Sequence, residues 1–152
     1  MWNMSEHNLQ IFIDGVKRYF SQSTDNELTV GTPFLAENKK PEAMDYTGII
    51  GISGNNKGCV YFTAPRIMLK HLMLSMGEGD TCEDNMMDLI GEVANTISGN
   101  ARKDLGKDFM ISVPVVVSGA PSNIHLPEQL RSYVIPITWR SYQAAVVICL
   151  QA

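Results

Sequence analysis

The chain has 152 residues, 45% hydrophobic and 18% charged, a length that fits one domain of roughly 100–200 residues and a composition that excludes intrinsic disorder. Its 12 basic and 16 acidic side chains give a formal net charge of -4, and with no basic cluster this argues against nonspecific binding to nucleic acid or to an acidic membrane surface. The longest apolar run, Ala144 to Leu150, is seven residues, well short of a membrane span, and the first residues read as no secretory leader, so one cytoplasmic domain over residues 1–152 is expected.

Leu9, Phe12, Ile13, Val16, Tyr19 and Phe20 recur at helical steps and predict an amphipathic helix over residues 5–22. Leu28 to Leu35 reads as a strand, and Ala36 to Asp45 as an exposed turn. Thr47 to Ile52 and Cys59 to Thr63 flank S-G-N-N-K-G, a hairpin signal. Pro65 suits the first turn of a helix carrying Ile67, Met68, Leu69, Leu72, Met73 and Met76, which stops at Gly77 and Gly79. Thr81 or Asp80 is the expected cap of the next helix, with Asp84 in capping-box position after Thr81; that helix runs to Leu105 and stops at Gly106. Phe109 to Val117 is a strand whose Pro114 favours an edge or a bulge. A loop spans Ser118 to Glu128, and Ser132 to Trp139 and Ala144 to Leu150 form a closing antiparallel hairpin. This order is not regular βαβ alternation. It predicts an α/β sandwich, a mostly antiparallel sheet with helices packed on one face, with a loose symmetry of two blocks, each a helix followed by three strands.

Cys59, Cys82 and Cys149 are far apart and in no metal-ligand spacing, so buried, inert thiols are expected. His7, His71 and His125 have no neighbouring ligands in sequence. Trp139 and Tyr142 flank the last turn and read as packing residues.

The charge is unevenly placed. Between His71 and Asn100 lie Glu78, Asp80, Glu83, Asp84, Asp88 and Glu92, with no Lys or Arg. On an ideal helix with Leu89 at zero, Met86, Ile90, Val93, Ala94, Ile97, Ala101 and Leu105 fall between about 40° and 160°. Asp88, Glu92, Asn95, Gly99 and Arg102 fall between about 220° and 300°. Glu92 and Asn95 are therefore neighbours on a polar face opposite a clean apolar one. Asn is a poor former of helix interiors, and Gly91 and Gly99 each cost about 1 kcal/mol relative to Ala. A missing side chain at Gly99 would admit a partner's backbone. Spacing alone leaves an ordinary solvated face as the other reading.

D-L-I-G-E-V-A-N-T-I-S-G-N, from Asp88, resembles the D-x-x-x-E-x-x-N-x-x-x-G-N pattern of the CheC/CheX/FliY phosphatase family of bacterial chemotaxis, the CheX type above all. G-I-I-G-I-S-G-N-N-K-G-C-V-Y-F, from Gly48, resembles the family's hairpin, and I-S-V-P-V-V-V-S-G, from Ile111, its proline-containing strand. The resemblance covers most of residues 9–150. It implies a hydrolase of two-component signalling that removes the phosphoryl group from the aspartate of a CheY-like response-regulator receiver domain. Carried over by position, Glu92 and Asn95 are the active pair, Asn95 orienting the water and Glu92 anchoring a lysine of the partner. The same resemblance implies that Mg²⁺ is supplied by the partner receiver, this chain alone holding none. CheC-like members have two such helices. Here the first half offers no second E-x-x-N and the helix after Pro65 reads R-I-M-L-K-H-L-M-L, which implies the CheX type, a homodimer joined through edge strands.

Asp88 extends the negative patch for docking or merely solvates the helix. Arg102 binds the regulator, offsets the acidic face, or balances the helix C-terminus. Two rivals differ in class: a non-catalytic receiver-binding module of the flagellar-switch kind, and a small-molecule phosphatase or sensor. The second would need a phosphate cradle, and S-G-N-N-K-G lacks the Walker spacing.

Overall fold

The computed structural model describes residues 6–24, 28–39, 41–119, 124–127 and 130–151. In chain order the elements are α1 (Glu6–Ser23), β1 (Leu28–Val30), β2 (Phe34–Glu37), β3 (Tyr46–Gly54), β4 (Lys57–Ala64), α2 (Arg66–Ser75), α3 (Glu83–Leu105), β5 (Phe109–Ile111), β6 (Val115–Ser118), β7 (Arg131–Trp139) and β8 (Tyr142–Gln151). The strands form an eight-stranded sheet in the order β1-β7-β8-β4-β3-β5, with β2 also on β7 and β6 also on β3. The strand pairings are antiparallel. The expected α/β sheet-and-helix sandwich is the fold found.

Strand alternation decides what each face buries. Ile50, Ile52, Val60, Phe62, Ile135, Ile137, Val146 and Ile148 share one core with Phe12, Val16 and Phe20 of α1, Leu69 and Leu72 of α2, and Ile90, Val93 and Ile97 of α3. The intervening residues Tyr61, Val134, Ala145 and Val147 pack on the other face with Ile124 and Leu126. That explains the unbroken apolar run of β8: the strand is buried on both faces. Trp139 is fully buried, as expected for packing. Burial of each such large side chain contributes roughly 1.5–3 kcal/mol.

The loose symmetry takes a definite form. A helix, an interrupted edge strand and a hairpin occur once as α1, β1/β2, β3–β4 and again as α3, β5/β6, β7–β8. Each interrupted strand pairs with the hairpin of the other half, and β4 meets β8 at the centre. The counterpart of α3 is thus α1 rather than α2, and α1 contains no E-x-x-N.

Two expected single strands are broken, one by a proline on the strand it pairs with and one by its own proline. Leu28 to Leu35 divides into β1 and β2, and β2 continues to Glu37, inside the stretch expected as a turn. The partner β7 carries Pro136, whose carbonyl accepts from Gly31 N at 2.8 Å. Its missing N–H faces the same edge, so the ladder stops there. Phe109 to Val117 divides into β5 and β6 around Pro114, on the sheet edge where a proline is tolerated. At that break Ser112 N donates to Gly51 O, and Gly51 N donates to Ser112 Oγ at 2.8 Å.

The helix entries also differ in detail. Pro65 stands one residue before α2, whose first N–H, that of Arg66, donates to Asp45 Oδ2 at 2.8 Å. Cys82, not Thr81 or Asp80, is the N-cap of α3, and no side chain caps it. Asp80 Oδ1 accepts from Cys82 N at 3.2 Å, and Tyr46 OH donates to Glu83 Oε1 at 2.9 Å, pinning the first turn to β3 one residue later than the capping box would. Cys82 is consequently exposed, against the expectation of three buried thiols, while Cys149 is buried and Cys59 partly so. His71 is not isolated either: its Nδ1 contacts the Tyr142 hydroxyl across from α2 to β8.

Candidate functional site

The polar face of α3 is positioned by what lies beneath it. Gly48 on β3 sits directly under the helix; a Cβ added there would lie 2.5 Å from Ile90 O and 3.2 Å from Gly91 Cα. Gly91 faces Val116 and Pro114, where a Cβ would meet side-chain carbons at 3.3 and 3.5 Å. Two missing side chains therefore let α3 lie flat on the sheet. The residues on either side of that seat, Asp88, Glu92 and Asn95, point away from it and are exposed.

Glu92 and Asn95 are about 4.5 Å apart along the helix axis on one face, a carboxylate and a carboxamide side by side. Glu92 is close enough to α1 to act on Tyr19, whose phenol is pushed up to about 12 by burial first and by the Glu92 carboxylate second. On its other side Glu92 borders a cleft of about 220 Å³ between the end of α2 and the start of α3, lined by Met73, Met76, Glu78, Asn85, Asp88 and Leu89. Asp88 thus shares a concave surface with Glu92. Tyr19, Met73, Met76 and Glu78 come from other segments and carried no signal in the helix pattern.

Arg102 is turned to a structural task. Its Nε donates to Phe109 O at 3.0 Å, and its Nη2 reaches Lys107 O at 3.5 Å, tying the end of α3 to the start of β5. Gly99 differs from Gly91: a Cβ there would meet nothing within 4 Å. The fold does not require a glycine at this position. Gly99→Ala is expected to stabilise the chain by about 1 kcal/mol, read as a higher urea midpoint at unchanged slope; a lower midpoint would show a packing demand that the surroundings do not display.

Among the described residues, no three His, Cys, Asp or Glu side chains converge as metal ligands. Nor is any described helix long and apolar enough to cross a membrane. The site is an exposed helix face carrying a carboxylate and an amide, bordered by a cleft of about 220 Å³, a surface open enough to meet that of another protein.

These features define a sheet-backed α/β protein with one exposed polar helix face. A family model described as chemotaxis phosphatase CheX matches residues 46–138, more than half of the chain, and the chain belongs to that family. No curated relative matches it. Among solved structures, a CheC-like superfamily protein from Shewanella sp. PV-4 is similar at 26% identity, with a TM-score of 0.81 over 98% of this chain and 100% of that one. A chemotactic CheC-like protein from Shewanella oneidensis MR-1 gives 26% identity and a TM-score of 0.82 over 97% of this chain and 100% of that one. The CheX in a CheX–CheY–BeF3–Mg²⁺ complex from Borrelia burgdorferi shares the fold at 18% identity, with a TM-score of 0.76 over 95% of this chain and 98% of that one.

Proposed function

We propose that this protein hydrolyses the aspartyl phosphate of a CheY-like receiver domain, with α3 as the inserted helix. The observation that carries the reading is Glu92 beside Asn95 on the exposed ridge of α3, in a chain of the chemotaxis phosphatase CheX family. The chemistry asks for little from this chain. A water attacks phosphorus in line, the bond from phosphorus to the aspartyl oxygen breaks, and the water proton leaves to solvent, giving inorganic phosphate and a free carboxylate. The Asn95 carboxamide both donates and accepts, so it holds and aims the water without a change of protonation state. Orientation of this kind lowers the barrier by removing the entropy of assembling the reactants. In this reading the Mg²⁺ that offsets phosphoryl charge comes with the receiver.

Glu92 anchors the complex by pairing with a lysine of the receiver, and Asp88 extends the same negative wall. Gly99 leaves room for close approach of the partner's backbone. Glu92→Lys is expected to raise the dissociation constant for a phosphorylated or BeF3-activated receiver by at least tenfold, since it sets like charges together; an unchanged constant in a titration would remove Glu92 from the interface.

The working form is a homodimer joined through sheet edges. In support, the edge formed by β1 and β2 exposes Phe34 and Leu35, and the edge formed by β5 and β6 exposes Met110 and Val115, with Val113 in the break between them. Exposed apolar residues on a sheet edge invite strand pairing. Sedimentation at micromolar concentration reads this directly, and a monomer mass would refute it. Decay of a phosphorylated receiver tests the activity: wild-type protein should accelerate it, and failure with every receiver of the same genome would defeat the enzymatic reading.

A further inference from the structure

The ridge of α3 continues beyond Asn95 into a second cleft, and its charge is opposite to that of the first. This cleft, about 390 Å³, is lined by Gly99, Arg102, Lys103, Gly106, Lys107 and Ile111. We propose that it is a second docking point, which holds an acidic loop of the same receiver whose phosphoryl group meets Asn95. The inference rests on the reading of α3 as the receiver-binding helix and adds to it the direction in which the receiver lies.

The walls are preset. Arg102 is held by the carbonyls of Phe109 and Lys107, which fixes the turn between α3 and β5. Lys103 and Lys107 stand exposed on either side. The neighbouring acids Asp104 and Asp108 are not part of the lining. At Gly99 and Gly106 an added Cβ would meet nothing within 4 Å, so the floor is open to a partner's main chain. Bases in a last helical turn also balance the helix dipole. That accounts for Arg102 and Lys103, but not for Lys107, which lies past the helix end, nor for a glycine at 99 that packing does not demand.

The distances make the contact hard to avoid. Along the axis Gly99 is about 6 Å and Lys103 about 12 Å beyond Asn95. A standard interface covers about 800 Å² on each partner, a patch roughly 30 Å across. A receiver centred on Asn95 therefore covers the acidic cleft at one end and the basic cleft at the other. It binds well only if its own charges run in the opposite sense, and a receiver turned end for end meets like charge at both. The two clefts thus set the orientation of docking, while Asn95 between them is neutral.

The test is the dissociation constant of a CheY-type receiver domain from the same genome, activated with BeF3 and Mg²⁺. With Lys103→Glu/Lys107→Glu the constant should rise roughly tenfold at low ionic strength, and its dependence on salt should flatten. Lys103→Gln/Lys107→Gln should fall between this variant and wild type. Both side chains are exposed, so unchanged thermal unfolding establishes that the fold is intact. Wild-type protein that binds the receiver, with a charge-reversed variant that binds it equally well at low salt, overturns the basic cleft alone. Wild-type protein that binds no activated receiver overturns both this inference and the reading beneath it.

Discussion

Asn95→Ala is expected to slow receiver dephosphorylation by roughly a hundredfold or more, the range lost when one preorganised polar group that acts on the reacting atoms is removed, while leaving binding of the activated receiver close to that of wild type. The separation follows from position. Asn95 is exposed, and none of its atoms is needed to seat α3, which rests on Gly48 and Gly91. Alanine is also the better helix former at an interior site, by about half a kcal/mol, so the variant should unfold no earlier than wild type. Asn95→Asp sharpens the test. It keeps the shape and one acceptor, but loses the N–H₂ donor and sets a negative charge beside the phosphoryl group, so it should be as slow as alanine or slower. Phosphate release under single-turnover conditions reads the rate. A wild-type rate in Asn95→Ala would leave Asn95 a surface residue and overturn its role in orienting the water, while the hydrolysis itself would stand and need another group.

How far the sequence carried this site depends on the range of the forces that formed it. The polar face of α3 needed only helical periodicity, and Glu92, Asn95, Asp88 and Gly99 all lie on the exposed side as that geometry required. The boundaries of α1 were legible to within a residue for the same reason. What was not legible involved two segments at once. Pro136 interrupts a strand more than a hundred residues earlier in the chain, because the two pair across the sheet edge. Asp45 and Tyr46 fix the entries of α2 and α3 from β3 and the turn before it. Met73 and Met76 read as ordinary core spacing on the helix after Pro65, yet they line the cleft beside Glu92. The two mid-helix glycines looked alike in sequence. Only the packing separates them, Gly91 against Pro114 and Val116 and Gly99 against open space.

That contrast sets the second large effect, at Gly48. Gly48→Ala places a methyl group 2.5 Å from the Ile90 carbonyl oxygen and 2.9 Å from its carbon. Both are backbone atoms of a helix that cannot yield by a rotamer change, so either α3 lifts or β3 bends. Overpacking of this kind costs typically 1–3 kcal/mol, and Gly48→Ala is expected at the upper end, about 3 kcal/mol by urea unfolding. Gly48→Val should cost more. The consequence reaches the site, because α3 carries Glu92 and Asn95 on its far side. In buffer where Gly48→Ala is still folded, its rate on the phosphorylated receiver should fall by tenfold or more, since a misplacement of about 1 Å is enough to cost a hundredfold where catalysis rests on orientation. Gly99→Ala, on the same helix but over open space, moves stability in the opposite direction. A Gly48→Ala protein with the wild-type urea midpoint and the wild-type rate would mean that α3 does not rest on β3 as closely as the packing of Ile90 and Gly91 requires.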